Sequence, residues 1–254
     1  ISINVPIITH VRELKCITKY YSQFSKIPML LKESDKIISV SKSVKSFLTS
    51  DYQISTEKIQ IVSNAVDFNV TSGIKKRKSS IYREACIPDG SLVVMGCGTQ
   101  IYRKGVDLFI QVANYVVNKL NHRNVHFIWI AGDVNSLFSI ELEEDIKKLG
   151  LYNNVKLIPT TKSAVDYMNA SDIFLLTSRE EPFGRVLLET ALIPIPVIAF
   201  KNTGFADEYI EDGVNGFLAE TDAEWRSAIE MLLGDAELRR RMGAAGRRKV
   251  EEHY

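Results

Sequence analysis

From Leu92 to Phe200 the chain alternates short, apolar, β-branched runs with segments of helical apolar spacing, and this alternation limits the fold more than any other feature. Leu92–Cys97, Val125–Ala131, Val155–Ile158, Asp172–Thr177 and Pro196–Phe200 read as strands. Gly105–Leu120, Ile140–Leu149, Ser163–Asn169 and the segment holding Glu189 read as helices. Strands joined by crossover helices lie parallel, and a parallel sheet must be covered on both faces, so an α/β architecture follows. Ligands of such sheets bind at the carboxyl edge of the strands, which directs attention to the loops leaving them.

The earlier part of the chain repeats the pattern less regularly. Ile1–Thr9 reads as a buried strand, Lys19–Leu31 as a helix, Lys36–Val40 as a strand, Ser41–Leu48 as a helix capped by Ser41, and Lys58–Val62 as a strand. Three strands are too few for a complete domain of this kind, and a buried parallel strand at the start implies neighbours upstream. Residues 71–80 turn to Ser, Lys, Arg and Gly, with Lys75-Lys-Arg-Lys78 as a basic run. This reads as an exposed linker, the alternative being attraction to an acidic lipid surface. After Phe200 come a loop with Gly204, a turn at Asp212–Gly216, and helices over Ala223–Leu233 and Asp235–Tyr254. The expected organisation is residues 1–89 as a partial α/β domain and linker, 90–234 as a Rossmann-like domain, and 235–254 as a terminal helix.

Composition narrows the function. The chain has 254 residues with 45% hydrophobic and 25% charged side chains, ordinary globular material. A net charge of +1 argues against a nucleic-acid partner. No apolar run reaches the roughly 20 residues of a membrane span, and nothing in the opening residues has the pattern of a signal peptide. Cys16, Cys86 and Cys97 are odd in number and far apart, which argues against a zinc site or a disulfide frame and for a reducing, cytoplasmic setting, with peripheral membrane contact as the alternative.

The chemistry gathers after the run Asp172–Thr177, in Ser178-Arg-Glu-Glu-Pro-Phe-Gly-Arg-Val-Leu-Leu-Glu189. A strand that breaks into a Pro-Phe-Gly turn before a helix places a helix N-terminus, with its N–H groups and positive dipole end, at the sheet edge. The amides of Phe183, Gly184, Arg185 and Val186, leading into Leu187, suit a phosphate. Glu181 and Glu189 would repel a bare phosphate but accept hydrogen bonds from hydroxyls, and phosphates with hydroxyls describe a nucleotide sugar. Other strand-end loops converge there: Gly96-Cys-Gly98-Thr99 with Arg103-Lys104-Gly105, whose two cations suit a diphosphate, then Ala131-Gly-Asp133 and Ile158-Pro159-Thr-Thr161.

Taken together, Arg103-Lys-Gly105, Ala131-Gly-Asp133, Ala170–Ser178, Glu181-Pro-Phe-Gly184, Glu189 and Gly213-Val-Asn-Gly216 resemble the donor domain of retaining glycosyltransferases of family 4, which have the GT-B fold. Ser39-Val-Ser41 and Asn64-Ala-Val-Asp67 resemble, less specifically, the late acceptor domain and interdomain crossing of that family. The resemblance implies a GT-B-like fold whose first acceptor-domain segment is missing. It implies that Glu189 holds ribose hydroxyls and Glu181 donor-sugar hydroxyls, that Phe183 and Gly184 offer backbone N–H groups, and that Lys104 neutralises the diphosphate. Thr99 stands where the family often has an arginine, for which Arg103 is a substitute, and Arg12 stands where it often has a histidine near the reacting carbon. The implied activity is a retaining, hexosyltransferase-type transfer from a nucleoside diphosphate sugar to a hydroxyl of a sugar, lipid-linked or polysaccharide acceptor. No metal or cofactor is expected, since the chain has no Asp-x-Asp motif. The alternative is a catalytically weak or silent nucleotide-sugar-binding module or partner subunit.

Overall fold

Two parallel sheets carry the chain, and the computed structural model describes residues 5–22, 26–133 and 135–254 of it. In the first unit β1 (Ile8–Val11), α1 (Lys15–Ser22), α2 (Ile27–Glu33), β2 (Lys36–Ser39), α3 (Lys42–Tyr52) and β3 (Ile59–Ile61) follow one another, with the strands in the order β1-β2-β3. Ser41 caps α3 as expected, its hydroxyl accepting the Val44 amide at 3.1 Å, and left-handed Gln53 ends it.

Two expectations need correction here. The opening strand starts at Ile8 rather than Ile1, and residues 1–4 lie outside the described residues. Among the described residues β1 pairs only with β2, so its side chains alternate between exposed and half-buried instead of being buried throughout. The helix expected over Lys19–Leu31 is two helices, α2 restarting with a proline in its first turn; residues 23–25 between them lie outside the described residues.

A 3₁₀ stretch (Phe68–Gly73) and α4 (Lys78–Glu84) lead to the second unit. The basic run expected to be a free linker is tied down. The Lys75 and Lys76 amides both donate to Asp166 Oδ1, at 2.6 and 2.9 Å, Lys76 pairs with Glu84, and Lys78 with Asp172. Three carboxylates face that run, a tertiary fact that composition does not carry.

The second unit comprises β4 (Leu92–Cys97), α5 (Val106–Asn114), β5 (Val125–Ile130), α6 (Leu137–Lys148), β6 (Val155–Ile158), α7 (Ala164–Ala170), β7 (Ile173–Leu176), α8 (Arg185–Leu192), β8 (Val197–Phe200), α9 (Phe205–Tyr209), β9 (Gly216–Ala219), α10 (Asp222–Gly234) and α11 (Ala236–His253). Helix α5 runs into a π-helical turn, Tyr115–Lys119, within the span expected to be one helix. The expected loop at Gly204 holds α9, whose five residues are too few to show a helical period, and β9 follows the expected turn with no β-branched residue to mark it.

The strand order β6-β5-β4-β7-β8-β9 reverses direction between β4 and β7, in register Val94 with Ile173 and Met95 with Phe174. Side chains of adjacent residues point to opposite faces, so the sheet divides its apolar residues between two cores. Met95, Ile128 and Phe174 pack with Leu187 and Leu188 of α8, while Val94, Phe127, Ile173 and Leu175 pack with Phe109 of α5 and Ile229 of α10. Phe109 meets Phe127 and Trp129 edge-on at 5.5 and 5.3 Å, contacts worth about 0.5–1.5 kcal/mol each beyond burial. No helix among the described residues is long and apolar enough to cross a membrane.

Candidate active site

The crevice between β4 and β7, where the strand order reverses, is where a doubly wound sheet opens at its carboxyl edge. The loop after β4 is shaped from beneath: Trp129 Nε1 donates to the Gly98 carbonyl at 2.7 Å. Tyr102–Lys104 then form a short 3₁₀ turn, stopped by Gly105 in a left-handed conformation (φ 68°). A Cβ at Gly105 would lie 2.0 Å from the Thr177 carbonyl oxygen, so this residue lets the loop press against the end of β7. The Thr177 hydroxyl donates to the Lys104 carbonyl at 3.3 Å, and the Arg179 amide to that of Arg103 at 2.8 Å. The two strand-end loops are therefore laced to one another before any side chain reaches the crevice.

The loop after β7 is held on its other side. The Glu181 amide donates to the Thr203 carbonyl at 2.7 Å and the Phe205 amide to the Glu181 carbonyl at 2.8 Å. Phe183 is buried with its ring 4.1 Å from that of Phe205, and Gly184 starts α8. This clamped backbone aims Glu181 at the loop after β4. Its Oε2 lies 2.6 Å from Lys104 Nζ and accepts the Ser178 hydroxyl at 3.1 Å, in a site where the two side chains keep 6% and 15% of their exposure. A pair this dry needs both partners, because either charge alone would be buried uncompensated.

Arg103 donates to the Glu180 carbonyl at 2.8 Å, leaving its buried Nε without a partner. The Glu180 carboxylate accepts the Cys16 amide of α1 at 3.0 and 2.9 Å; burial raises its pKa, and the charge of Glu13 adds to the rise against the Cys16 amide and Arg103. Arg179, which the sequence did not single out, braces the loops: it forms a two-pronged pair with Asp107 at 2.9 and 2.6 Å and lies 3.7 Å over the Tyr102 ring. Burial opposes ionisation of Asp107, but this guanidinium outweighs it and lowers the carboxyl pKa.

Lys104, Arg103 and Glu181 face an open cleft of 510 Å³ between the two units. Of the residues expected in a site, Arg12, Gly98, Arg103, Lys104, Glu181, Phe183, Gly184, Arg185 and Val186 line it. Thr99, Pro159, Leu187 and Glu189 do not. Thr99 and Pro159 are exposed at strand ends, and Leu187 is a core residue whose amide donates to the Gly184 carbonyl at 2.8 Å. Glu189 lies one turn inside α8, paired with Arg185 at 3.2 Å. Its charge is felt at Cys97, whose thiol burial first and Glu189 second push up to about 11, against Lys104. Glu13, Asn64 and Cys97 also line the cleft and were not among the expected site residues. Their signal was positional: each stands at or just past the carboxyl end of a strand. Among the described residues no three His, Cys, Asp or Glu side chains are placed to hold a metal ion. A second cavity of 410 Å³, between α5 and α10, contains none of the expected residues.

Comparison with known proteins follows the same lines. The capsular polysaccharide biosynthesis glycosyltransferase CapM of Staphylococcus aureus is 27% identical over 224 residues, 86% of this chain and 57% of CapM. Human alpha-1,3/1,6-mannosyltransferase ALG2 is 33% identical over 138 residues, 51% of this chain and 33% of ALG2. The chain thus spans only part of the length of these relatives. Anabaena Alr3699/HepE, crystallised in complex with UDP and glucose, superposes with a TM-score of 0.84 at 22% identity, over 98% of this chain and 67% of that one. The architecture is accordingly an α/β, GT-B-like glycosyltransferase fold. The model of the family described as glycosyl transferases group 1 matches residues 80–249, more than half of the chain, and the protein belongs to that family.

Proposed function

We propose that the chain transfers a sugar from a nucleoside diphosphate sugar to an acceptor hydroxyl, with retention of configuration and without a metal ion. The observation that carries this reading is the meeting of Lys104 and Glu181 at 2.6 Å in the crevice where the sheet order reverses, beside the N-terminus of α8. A cation and a helix terminus suit a diphosphate, and a carboxylate held between a lysine and a serine suits sugar hydroxyls. In this reading Lys104 and Arg103 carry the charge that develops on the leaving diphosphate, and Phe183 and Gly184 offer backbone N–H groups to it. Glu181 grips the donor sugar, Glu189 the ribose, and Arg12 approaches the reacting carbon from the first unit. Because HepE crystallised with UDP and glucose, a uridine donor is the first to try.

Thermal melting with UDP and GDP, then product detection with UDP-glucose and with GDP-mannose, tests the reading. UDP at 100 times its dissociation constant should stabilise the fold by about 2.7 kcal/mol. Glu181→Ala should abolish turnover while the fold persists, EDTA should leave turnover unchanged, and the product should keep the anomeric configuration of the donor. An inverted product would remove the retaining assignment, and unchanged transfer by Glu181→Ala would remove the role of Glu181.

A further inference from the structure

The two carboxylate oxygens of Glu181 stand in different surroundings. Oε2 takes both bonds that the protein offers, from Lys104 Nζ at 2.6 Å and from the Ser178 hydroxyl at 3.1 Å. Oε1 accepts no hydrogen bond among the described residues, yet it is not closed off from solvent, and Glu181 lines the cleft. A carboxylate fixed by one oxygen leaves the other free to accept a hydroxyl.

The two holds on Oε2 are not equivalent. Lys104 is a compact charge on the cleft wall, which a diphosphate attracts as strongly as a carboxylate does. Ser178 is neutral, only 1% exposed and absent from the cleft lining, so a diphosphate does not compete for it. Its direction also differs from that of other buried hydroxyls in this unit. Ser171, Thr190 and Thr203 donate to the carbonyls of Tyr167, Val186 and Phe200, three or four residues back, and so serve their own turns. Ser178 reaches a charged side chain of the cleft instead. The Glu181 backbone is already fixed through Thr203 and Phe205, which leaves side-chain rotation as the freedom that Ser178 removes.

Resting on the glycosyltransferase reading, we propose that Ser178 is a positioning residue for the donor sugar: by holding Oε2 it presents Oε1 of Glu181 to a sugar hydroxyl, and it keeps that hold while Lys104 serves the diphosphate. A nucleoside diphosphate without its sugar does not feel Ser178, whereas the complete nucleotide sugar does.

The test is calorimetric titration of the whole chain with UDP and UDP-glucose, and with GDP and GDP-mannose, read on the pair whose diphosphate stabilises the wild type. Ser178→Ala should weaken binding of the nucleotide sugar about tenfold while the affinity for the nucleoside diphosphate stays within about twofold. Ser178→Cys, a weaker donor of similar size, should fall between wild type and Ser178→Ala. In a Glu181→Ala background Ser178→Ala should cost nothing further, because the serine acts through that carboxylate. Nucleotide-sugar affinity unchanged in Ser178→Ala, an equal loss for both nucleotides, or a loss that persists in the Glu181→Ala background overturns the proposal. A wild type that neither UDP nor GDP stabilises overturns the glycosyltransferase reading instead, so the two failures are distinguishable.

Discussion

Lys104 Nζ lies 2.6 Å from Glu181 Oε2 although the residues are 77 positions apart and leave different strands. The contact exists because β4 and β7 are neighbours in the sheet while β5 and β6 are not between them. Either single change, Lys104→Met or Glu181→Gln, strands a charge in a largely dry site and should cost about 3 kcal/mol in urea unfolding. The double variant should recover most of that loss while remaining inactive. Additive losses would mean that the two side chains do not act as a pair.

Gly105 and Gly150 share nearly the same left-handed backbone, φ 68° and 67°, but not the same surroundings. A Cβ at Gly105 meets the Thr177 carbonyl oxygen at 2.0 Å, whereas one at Gly150 meets nothing within 4 Å. Alanine at Gly150 should therefore cost only the conformational penalty, about 1 kcal/mol. Alanine at Gly105 should cost distinctly more and weaken UDP binding, because it drives the Lys104 loop off β7. Thermal melts with and without UDP check both; equal losses would show that the close approach carries no energy.

Glu208 of α9 reaches from the second unit to the start of α3, accepting the Lys42 amide at 2.9 Å, the Ser43 amide at 2.7 Å and the Ser43 hydroxyl at 2.5 Å. A carboxylate at a helix N-terminus satisfies N–H groups that the helix cannot, and its charge suits the dipole. Glu208→Ala should lower stability by about 1 kcal/mol and speed hydrogen exchange at the Lys42 and Ser43 amides. Exchange at wild-type rates would mean that Glu208 does not fasten the two units.

His126 of β5 is buried with its Nδ1 unpartnered, and burial, aided by Lys156 and opposed by a bond to the Asn153 backbone, holds its pKa below the usual 6.5. The unfolded chain therefore takes up the proton first. Its contribution to stability is complete above about pH 6.5 and is lost progressively as the pH falls from there toward the lowered folded value. His126→Leu should flatten the stability profile in that window. A profile with an unchanged slope would assign the acid sensitivity elsewhere.

Local patterning determined a good deal of this protein. Buried parallel strands read as continuous apolar runs, so β4, β5 and β7 were legible nearly to the residue, and Ser41 announced the start of α3 because its side chain satisfies a nearby amide. The Glu-Pro-Phe-Gly turn and the Arg-Lys-Gly loop, each an ordinary strand-end loop taken singly, were singled out by their combination with the other motifs in a family resemblance, and both line the cleft. Short elements such as α9 and β9 escaped, α9 because five residues show no helical period and β9, Gly216–Ala219, because it has no β-branched residue to mark it as a strand. Only the tertiary structure decided the rest. Which strands are neighbours is a property of distant chain segments, so the sequence could not seat Lys104 on Glu181 or turn the Lys75–Lys78 run toward Asp166, Glu84 and Asp172. Periodicity records which face of its own element a residue occupies, whereas a site is made of residues from several elements, and their meeting is set by how whole layers pack.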